Sequence, residues 1–314
     1  MGRISAAVLV ILIALLVVAS ACDEDDAVLP ARDVDDNDGG LPAVTSESSI
    51  EGVIFLETRE GMRLVSAGTG PYGCNKNFDP GCGEEDAELD LAFLPSFFID
   101  TTEVPWSAYR TCVDAGSCPA NECLPAVEDD LDDRPAVCLN VAQAEAYCTF
   151  AGKRLPNDIE WERAASGISG RRFPWGDTWC DECLNWVQDT DDGAVDGFAQ
   201  VAPVDEFPDG AGPFGTLNMA GNVWEFTHPP ASPDDGDGDG DAKADDGTDD
   251  EDEDAPVAYI RGGGFAIPGI VEEADLPQDY YRTTRRYGVT ADIADTAMAD
   301  YIGFRCALDA EDSR

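Results

Sequence analysis

Eleven cysteines in 314 residues constrain this fold most, once the compartment is known. The first residues set the compartment. "MGRISAAVLVILIALLVVASAC" has Arg3, an apolar run, small residues and then Cys22. That is the pattern of a secretory signal over 1–21, not of a structural helix. An exported chain meets an oxidising environment, where cysteines pair as disulfides. Setting Cys22 aside leaves ten, an even number. "CDEC" (Cys180, Cys183) resembles half of a zinc site, but no second CxxC exists and His228 is the only histidine. Zinc is therefore not expected.

The ending "VVASAC" resembles the lipobox of bacterial lipoproteins, in which the cysteine is lipidated and becomes the mature N-terminus. Here that residue is Cys22, although Ala19 stands where Leu is preferred. The alternatives are an ordinary signal peptide cleaved nearby or a single membrane anchor. Residues 22–50 are acidic and poor in aromatics, so they bury too little apolar surface to fold and read as a tether. Asp23 favours inner-membrane retention in some bacteria.

The formal net charge is −46, yet hydrophobic residues make up 43% of the chain, so the acidity is added to a real core. Nucleic-acid binding needs Lys and Arg against phosphate and is excluded as a role. Much of the charge is local. Residues 232–256 carry thirteen acids and one lysine, and read as a disordered acidic insertion that binds cations loosely. The order Asp235, Asp237, Asp239, Gly240 and Asp246 resembles an EF-hand loop, but position twelve is Asp and no amphipathic helices flank it.

The remainder, 51–314 apart from that insertion, reads as one domain of short elements. "SFFIDTTEV" predicts a strand leading to a helix, with Pro105 at the first helical position and a stop near Gly116. Asn140 with Gln143, and Asn157 with Glu160, are capping-box pairs that predict the starts of "VAQAEAYCTFA" and "DIEWERAAS". Gly152 ends the first of these. Beyond Ser166 the chain is rich in Gly, Pro and Trp with little periodicity, so regular structure should be sparse.

Seven motifs then occur in order: "MRLVSAGTGPYGC", "FFIDTTEVPWSAY", "AQAEAYCTFAGKRLPNDIEWERAAS", "RRFPWGD", "GTLNMAGNVWEFT", "IRGGGF" and "YIGFRCA". Together they resemble the domain of the formylglycine-generating enzyme, or sulfatase-modifying factor, over about residues 58 to 309. The resemblance implies an α+β fold related to C-type lectins, with little regular secondary structure. Such a fold hosts unrelated functions, so function must be argued from the site.

The resemblance also implies structural calcium. One site would take Asn218, Gly221, Val223 and Glu225 from "NMAGNVWEF". The other would take Asn185, Trp186, Asp196 and Phe198, with Asp189, Asp191 and Asp192 competing in the same loop. Amide, carbonyl and carboxylate oxygens are the donors calcium accepts. Read without the family, both stretches are side-chain hydrogen bonding in turns. The resemblance further implies a Cys148–Cys306 disulfide. Sequence neighbours suggest local staples such as Cys74–Cys82 and Cys180–Cys183, and spacing leaves Cys112, Cys118, Cys123 and Cys138 open.

The catalytic members of the family oxidise a substrate cysteine, using two copper-holding cysteines just after the corresponding glycine turn. Here Ile267 falls at the first position and Glu272 near the second, and no cysteine lies between Cys183 and Cys306. Cu(I) wants soft thiolates, so copper is not expected. His228 reads as a surface residue, which leaves no Ser/His/Asp arrangement. Arg282, Arg285 and Arg286 cluster in an acidic chain. They either pair with neighbouring acids or contact an anionic ligand. The reading is an envelope lipoprotein, non-catalytic, calcium-stabilised, and recognising an envelope protein or glycan. The rivals are an oxidoreductase with an altered site and a purely structural lipoprotein.

Overall fold

The computed structural model describes residues 58–77, 81–83, 86–120, 131–186, 196–230, 256–267, 277–290 and 299–310. All of them belong to the unit Ile54–Arg314. The leader, Cys22 and the tether lie outside the described residues, as do Cys123, Asp189, Asp191, Asp192, Glu272 and the acidic stretch 232–255.

The first five strands in chain order are β1 (Thr58–Arg59), β2 (Met62–Val65), β3 (Gly68–Tyr72), β4 (Asp90–Leu94) and β5 (Phe97–Asp100). Three helices follow among the described residues: α1 (Trp106–Asp114), α2 (Val141–Phe150) and α3 (Asp158–Ser166). Then come β6 (Trp224–Thr227), β7 (Ala258–Arg261), β8 (Arg286–Val289), β9 (Ile302–Gly303) and β10 (Ala307–Asp309). This is the α+β class. After Ser166 no described strand exceeds four residues, and the remaining regular pieces are short 3₁₀ turns.

The helix starts follow local chemistry. In α2 the Asn140 side chain accepts from the Gln143 backbone and the Gln143 side chain accepts from the Asn140 backbone. Asn157 and Glu160 repeat that reciprocal pair on α3, which Gly167 ends with a positive φ of 72°. Pro105 departs from expectation by one position. It is the N-cap of α1, with extended φ −74° and ψ 154°, not the first helical residue. The backbone N–H of Trp106 donates instead to the Arg134 carbonyl.

One sheet runs β1-β2-β5-β10, antiparallel throughout. A second, β3-β4, is a two-stranded ribbon, and a third runs β8-β7-β6-β9 with β6 and β9 parallel. Trp161, Ala164 and Ala165 of α3 pack on Val65, Phe97 and Ile99 of the first sheet. A larger cluster joins Tyr109 of α1, Ala144 and Cys148 of α2, and Trp224, Phe226 and Ile260 of the third sheet.

Disulfides join Cys74 to Cys82, Cys112 to Cys118, Cys148 to Cys306 and Cys180 to Cys183. Cys138 is also disulfide-bonded. The Cys148–Cys306 bond spans 158 residues and fastens the C-terminal strand region to α2. No helix among the described residues is long and apolar enough to cross a membrane.

Candidate functional site

A buried polar centre lies where "NMAGNVWEF" meets α3 and Arg305. Asn218 and Asn222 take positive φ, 54° and 64°, and Gly221 between them takes 84°. Asparagine tolerates that region better than other side chains, and glycine enters it without strain. A Cβ at Gly221 would stand 2.5 Å from the Asn185 carbonyl oxygen, so only glycine fits there.

The polar groups of this stretch find protein partners. The Asn218 Nδ2 donates to Glu103 Oε2 at 2.9 Å and to the Val204 carbonyl at 3.0 Å. Asn222 Nδ2 donates to Glu103 Oε1 at 2.9 Å. Glu225 receives Arg305 Nε on Oε2 at 2.7 Å and Arg305 Nη2 on Oε1 at 2.6 Å. Trp161 Nε1 adds a third donor to Oε2 at 2.8 Å. The Glu225 and Arg305 side chains are both 0% exposed.

These contacts bear on the ligand role expected for Glu225. Its Oε2 accepts from both Arg305 and Trp161, and its Oε1 from Arg305 alone, which leaves Oε1 a further acceptor position. A cation held by Asn218, Gly221, Val223 and Glu225 would share that carboxylate with Arg305. Glu103, Arg305 and Trp161 were not singled out from the sequence, although each stands inside a quoted motif. Glu103 is fully buried, and its carboxyl is pushed up to about 7. Burial is the chief cause, opposed by the Arg305 charge and reinforced by that of Glu225.

The second expected set behaves differently. Asp196 accepts the backbone N–H of Trp186 at 3.1 Å and that of Phe198 at 2.9 Å. Asn185 Nδ2 donates to the Gln200 carbonyl at 2.7 Å and to Asn222 Oδ1 at 3.2 Å. Asn185 Oδ1 and Gln200 Oε1, by contrast, are buried acceptors without a hydrogen-bond donor. An orphaned amide oxygen, with a carboxylate bonded to the backbone of the next residue, offers the oxygen donors calcium accepts. The residues Asn185, Trp186, Asp196 and Phe198 fit such an ion.

A second charged cluster runs from α3 to β7 and β8. Arg261 Nε donates to Asp158 Oδ1 at 2.5 Å, and its Nη2 to Glu162 Oε2 at 3.0 Å. Arg286 Nη1 reaches Asp158 Oδ2 at 2.6 Å and Tyr72 Oη at 2.5 Å. Burial raises the Asp158 carboxyl, but Arg261 and then Arg286 outweigh it and hold it below its ordinary value. Glu162 goes the other way, up to about 7, because burial outweighs the Arg261 charge.

The three expected ligand-contact arginines therefore part company. Arg286 serves Asp158. Arg285 Nη2 donates to the Gly81 carbonyl at 3.0 Å, and its Nε lies 3.6 Å from Asp86. Arg282 pairs with Asp279 at 2.8 Å, but it also lines a cavity of about 470 Å³.

The glycine turn after β7 is held from behind. Tyr281 Oη donates to the Gly264 carbonyl at 2.9 Å, and Trp224 Nε1 to the Ala266 carbonyl at 2.9 Å. Ile267, where the resemblance places the first catalytic cysteine, is 37% exposed. His228 is half-buried, with Nε2 3.0 Å from Glu145. Among the described residues one group has metal-ligand spacing, Cys74, Cys82 and Asp86. Its two cysteines are bonded to each other and offer no thiolate.

Short sheets packed on helices, cross-linked by disulfides and threaded by buried ion pairs, define an α+β domain of the sulfatase-modifying type. The model of the sulfatase-modifying factor enzyme 1-like domain matches residues 55–310, and the chain belongs to that family. Relatives include the inactive C-alpha-formylglycine-generating enzyme 2 of Bos taurus, 33% identical over 55% of this chain and 50% of its own length. The formylglycine-generating enzyme of Thermomonospora curvata is 35% identical over 57% of each. The hercynine oxygenase of Mycolicibacterium smegmatis is 37% identical over 35% of this chain and 25% of its own. The chain thus spans between about a quarter and somewhat over half the length of these curated relatives. The fold is also that of PvdO from Pseudomonas aeruginosa, with a TM-score of 0.55 at 20% identity, covering 79% of this chain and 94% of that one.

Proposed function

We propose that this chain is a non-catalytic member of the family, exported, tethered by lipid at Cys22, stabilised by calcium, and used to recognise an envelope protein or glycan. The observation that carries the reading is the glycine turn. Ile267 occupies the position the resemblance gives to a metal-binding cysteine, and no cysteine lies between Cys183 and Cys306. An alkyl side chain supplies neither a ligand for Cu(I) nor a nucleophile. The kinship with an inactive relative supports it.

Calcium belongs at the Asn185 set. The Asn185 and Asp196 side chains and the carbonyls of Trp186 and Phe198 would hold it, and the ion would supply the positive charge that the orphaned Asn185 Oδ1 lacks. Its role is to hold Asp196 to Asn185 and Trp186. The chemistry is structural.

The full chain is presented to its own envelope extract with calcium and then with chelator. Capture of a specific partner, lost with chelator, supports recognition. Stoichiometric copper, or oxidation of a cysteine-containing peptide, would instead establish the oxidoreductase alternative.

A further inference from the structure

A cavity of about 470 Å³ opens between the β3–β4 ribbon and the segment after α3. Its charged lining is unusual for a chain of net charge −46. Three arginines, Arg171, Arg172 and Arg282, stand against Glu162 and Asp177.

Both acids already accept hydrogen bonds. Glu162 Oε1 accepts the Gly73 backbone N–H at 2.7 Å, and Oε2 accepts from Arg261. Asp177 Oδ1 accepts the backbone N–H of Arg172 at 3.0 Å. Arg282 has its own counter-ion in Asp279. Arg171 does not. Its side-chain partner is the Pro174 carbonyl at 3.1 Å, so a half-buried guanidinium with five donors makes no ion pair with a carboxylate among the described residues.

A second unmet group lines the same cavity. Thr284 Oγ1 is buried and has no hydrogen-bond partner. A buried hydroxyl without a partner is costly, and here a ligand oxygen would supply the missing bond. Pro71 and Leu89, which is 46% exposed, add apolar surface to the lining.

We infer that this cavity binds a small organic oxyanion, a carboxylate or phosphate carried on a short apolar body. Arg171 takes the oxyanion, Thr284 takes one of its oxygens, and Pro71 and Leu89 cover the apolar part. A planar guanidinium suits either oxyanion, because both present paired oxygens to its fork. The volume is at the small end of ligand sites, so the ligand is a small molecule or the end of a chain. The inference deepens the recognition reading by naming a ligand chemistry, and rests on that reading.

The test is calorimetric titration of the full chain at low ionic strength with butyrate, inorganic phosphate, butyl phosphate and neutral butanamide. One oxyanion probe should saturate a single site with a Kd of about 1 mM or tighter, and butanamide should not bind. Butyrate against butyl phosphate decides between carboxylate and phosphate. Arg171→Gln should weaken the bound probe at least about tenfold, and Thr284→Val about threefold, on the scale of hydrogen bonds to charged and neutral groups. Arg110→Gln, which alters an exposed ion pair with Asp132, should change nothing. Melting curves establish that each variant folds, and Thr284→Val carries the test if Arg171→Gln does not. The inference is overturned if no oxyanion saturates wild type, or if both cavity variants bind as wild type does. Should the probes fail while envelope capture persists, this inference falls alone. Should capture fail while a probe binds, the recognition reading falls alone.

Discussion

Glu103 should make the stability of this domain depend on pH in a direction opposite to that of an ordinary paired acid. It is fully buried, and two amides, Asn218 and Asn222, donate to its carboxyl at 2.9 Å each. Arg305 is near but is spent on Glu225. The carboxyl consequently ionises at about 7 in the folded chain, against an ordinary 4.5. Below pH 4.5 it is protonated in both states and its contribution is complete. As pH rises from 4.5 toward 7 the unfolded chain ionises first and the folded state loses stability. Above 7 the loss is finished. The gap between 4.5 and about 7 corresponds to roughly 3 kcal/mol. Glu103→Gln removes the titration. It adds a pH-independent cost of about 1–3 kcal/mol, because its amide N–H₂ meets an asparagine donor where an acceptor is required. Urea unfolding of the disulfide-intact chain, followed by tryptophan fluorescence from about pH 4.5 to about pH 8, measures both terms. Glu162 titrates alike in wild type and variant, so it cancels in the difference. The advantage of wild type over Glu103→Gln should shrink by roughly 3 kcal/mol across that range. Two stability curves that stay parallel would refute the reasoning, since Glu103 would then ionise as freely folded as unfolded.

Two further predictions follow from the same core. Glu225→Gln should cost about 3–5 kcal/mol at pH 7, since it leaves a fully buried Arg305 without its counter-ion; calcium should not alter that cost, and a calcium-dependent cost in urea titrations would make Glu225 a ligand. Calcium at one hundred times its Kd should stabilise the chain by about 2.7 kcal/mol; Asp196→Ala should abolish the gain in melting temperature, and an Asp196→Ala chain that still gains would place the ion elsewhere.

What the sequence disclosed divides by distance. The capping boxes of α2 and α3 were legible because Asn140 and Gln143, or Asn157 and Glu160, are three residues apart and must meet once a helix forms. Cys180 and Cys183 were legible because a separation of three residues already holds them near each other. "NMAGNVWEF" was legible as a demand, since buried Asn and Glu need partners, but not as an answer. Arg305 lies 80 residues beyond Glu225, and Glu103 lies 115 before Asn218. Nothing local says that a guanidinium reaches Glu225. Arg171 and Thr284 carried no signal, because a cavity between distant segments has no periodicity. Pro105 shows the limit at short range. Its fixed φ suits either side of a helix boundary, and its ψ of 154° put it outside.

The buried charges explain how so little regular structure holds together. A coil that runs through a core must have its backbone groups satisfied by something other than a ladder. Here side chains do it. Arg305 donates to the carbonyls of Asp100, Thr101 and Leu217 while holding Glu225. Arg261 does the same for the carbonyls of Thr283 and Arg285 while holding Asp158. Asn222 ties both the N–H and the carbonyl of Ala202. Each arginine needs an acid so that its charge can be buried, and each acid in turn fixes the arginine that serves the coil. The motifs that mark the family therefore specify its architecture. They would read the same in a catalyst and in a binding protein. Chemistry is decided where these networks end: at the turn beyond Gly264, where Ile267 offers no ligand, and in the cavity where Arg171 has no acid of its own.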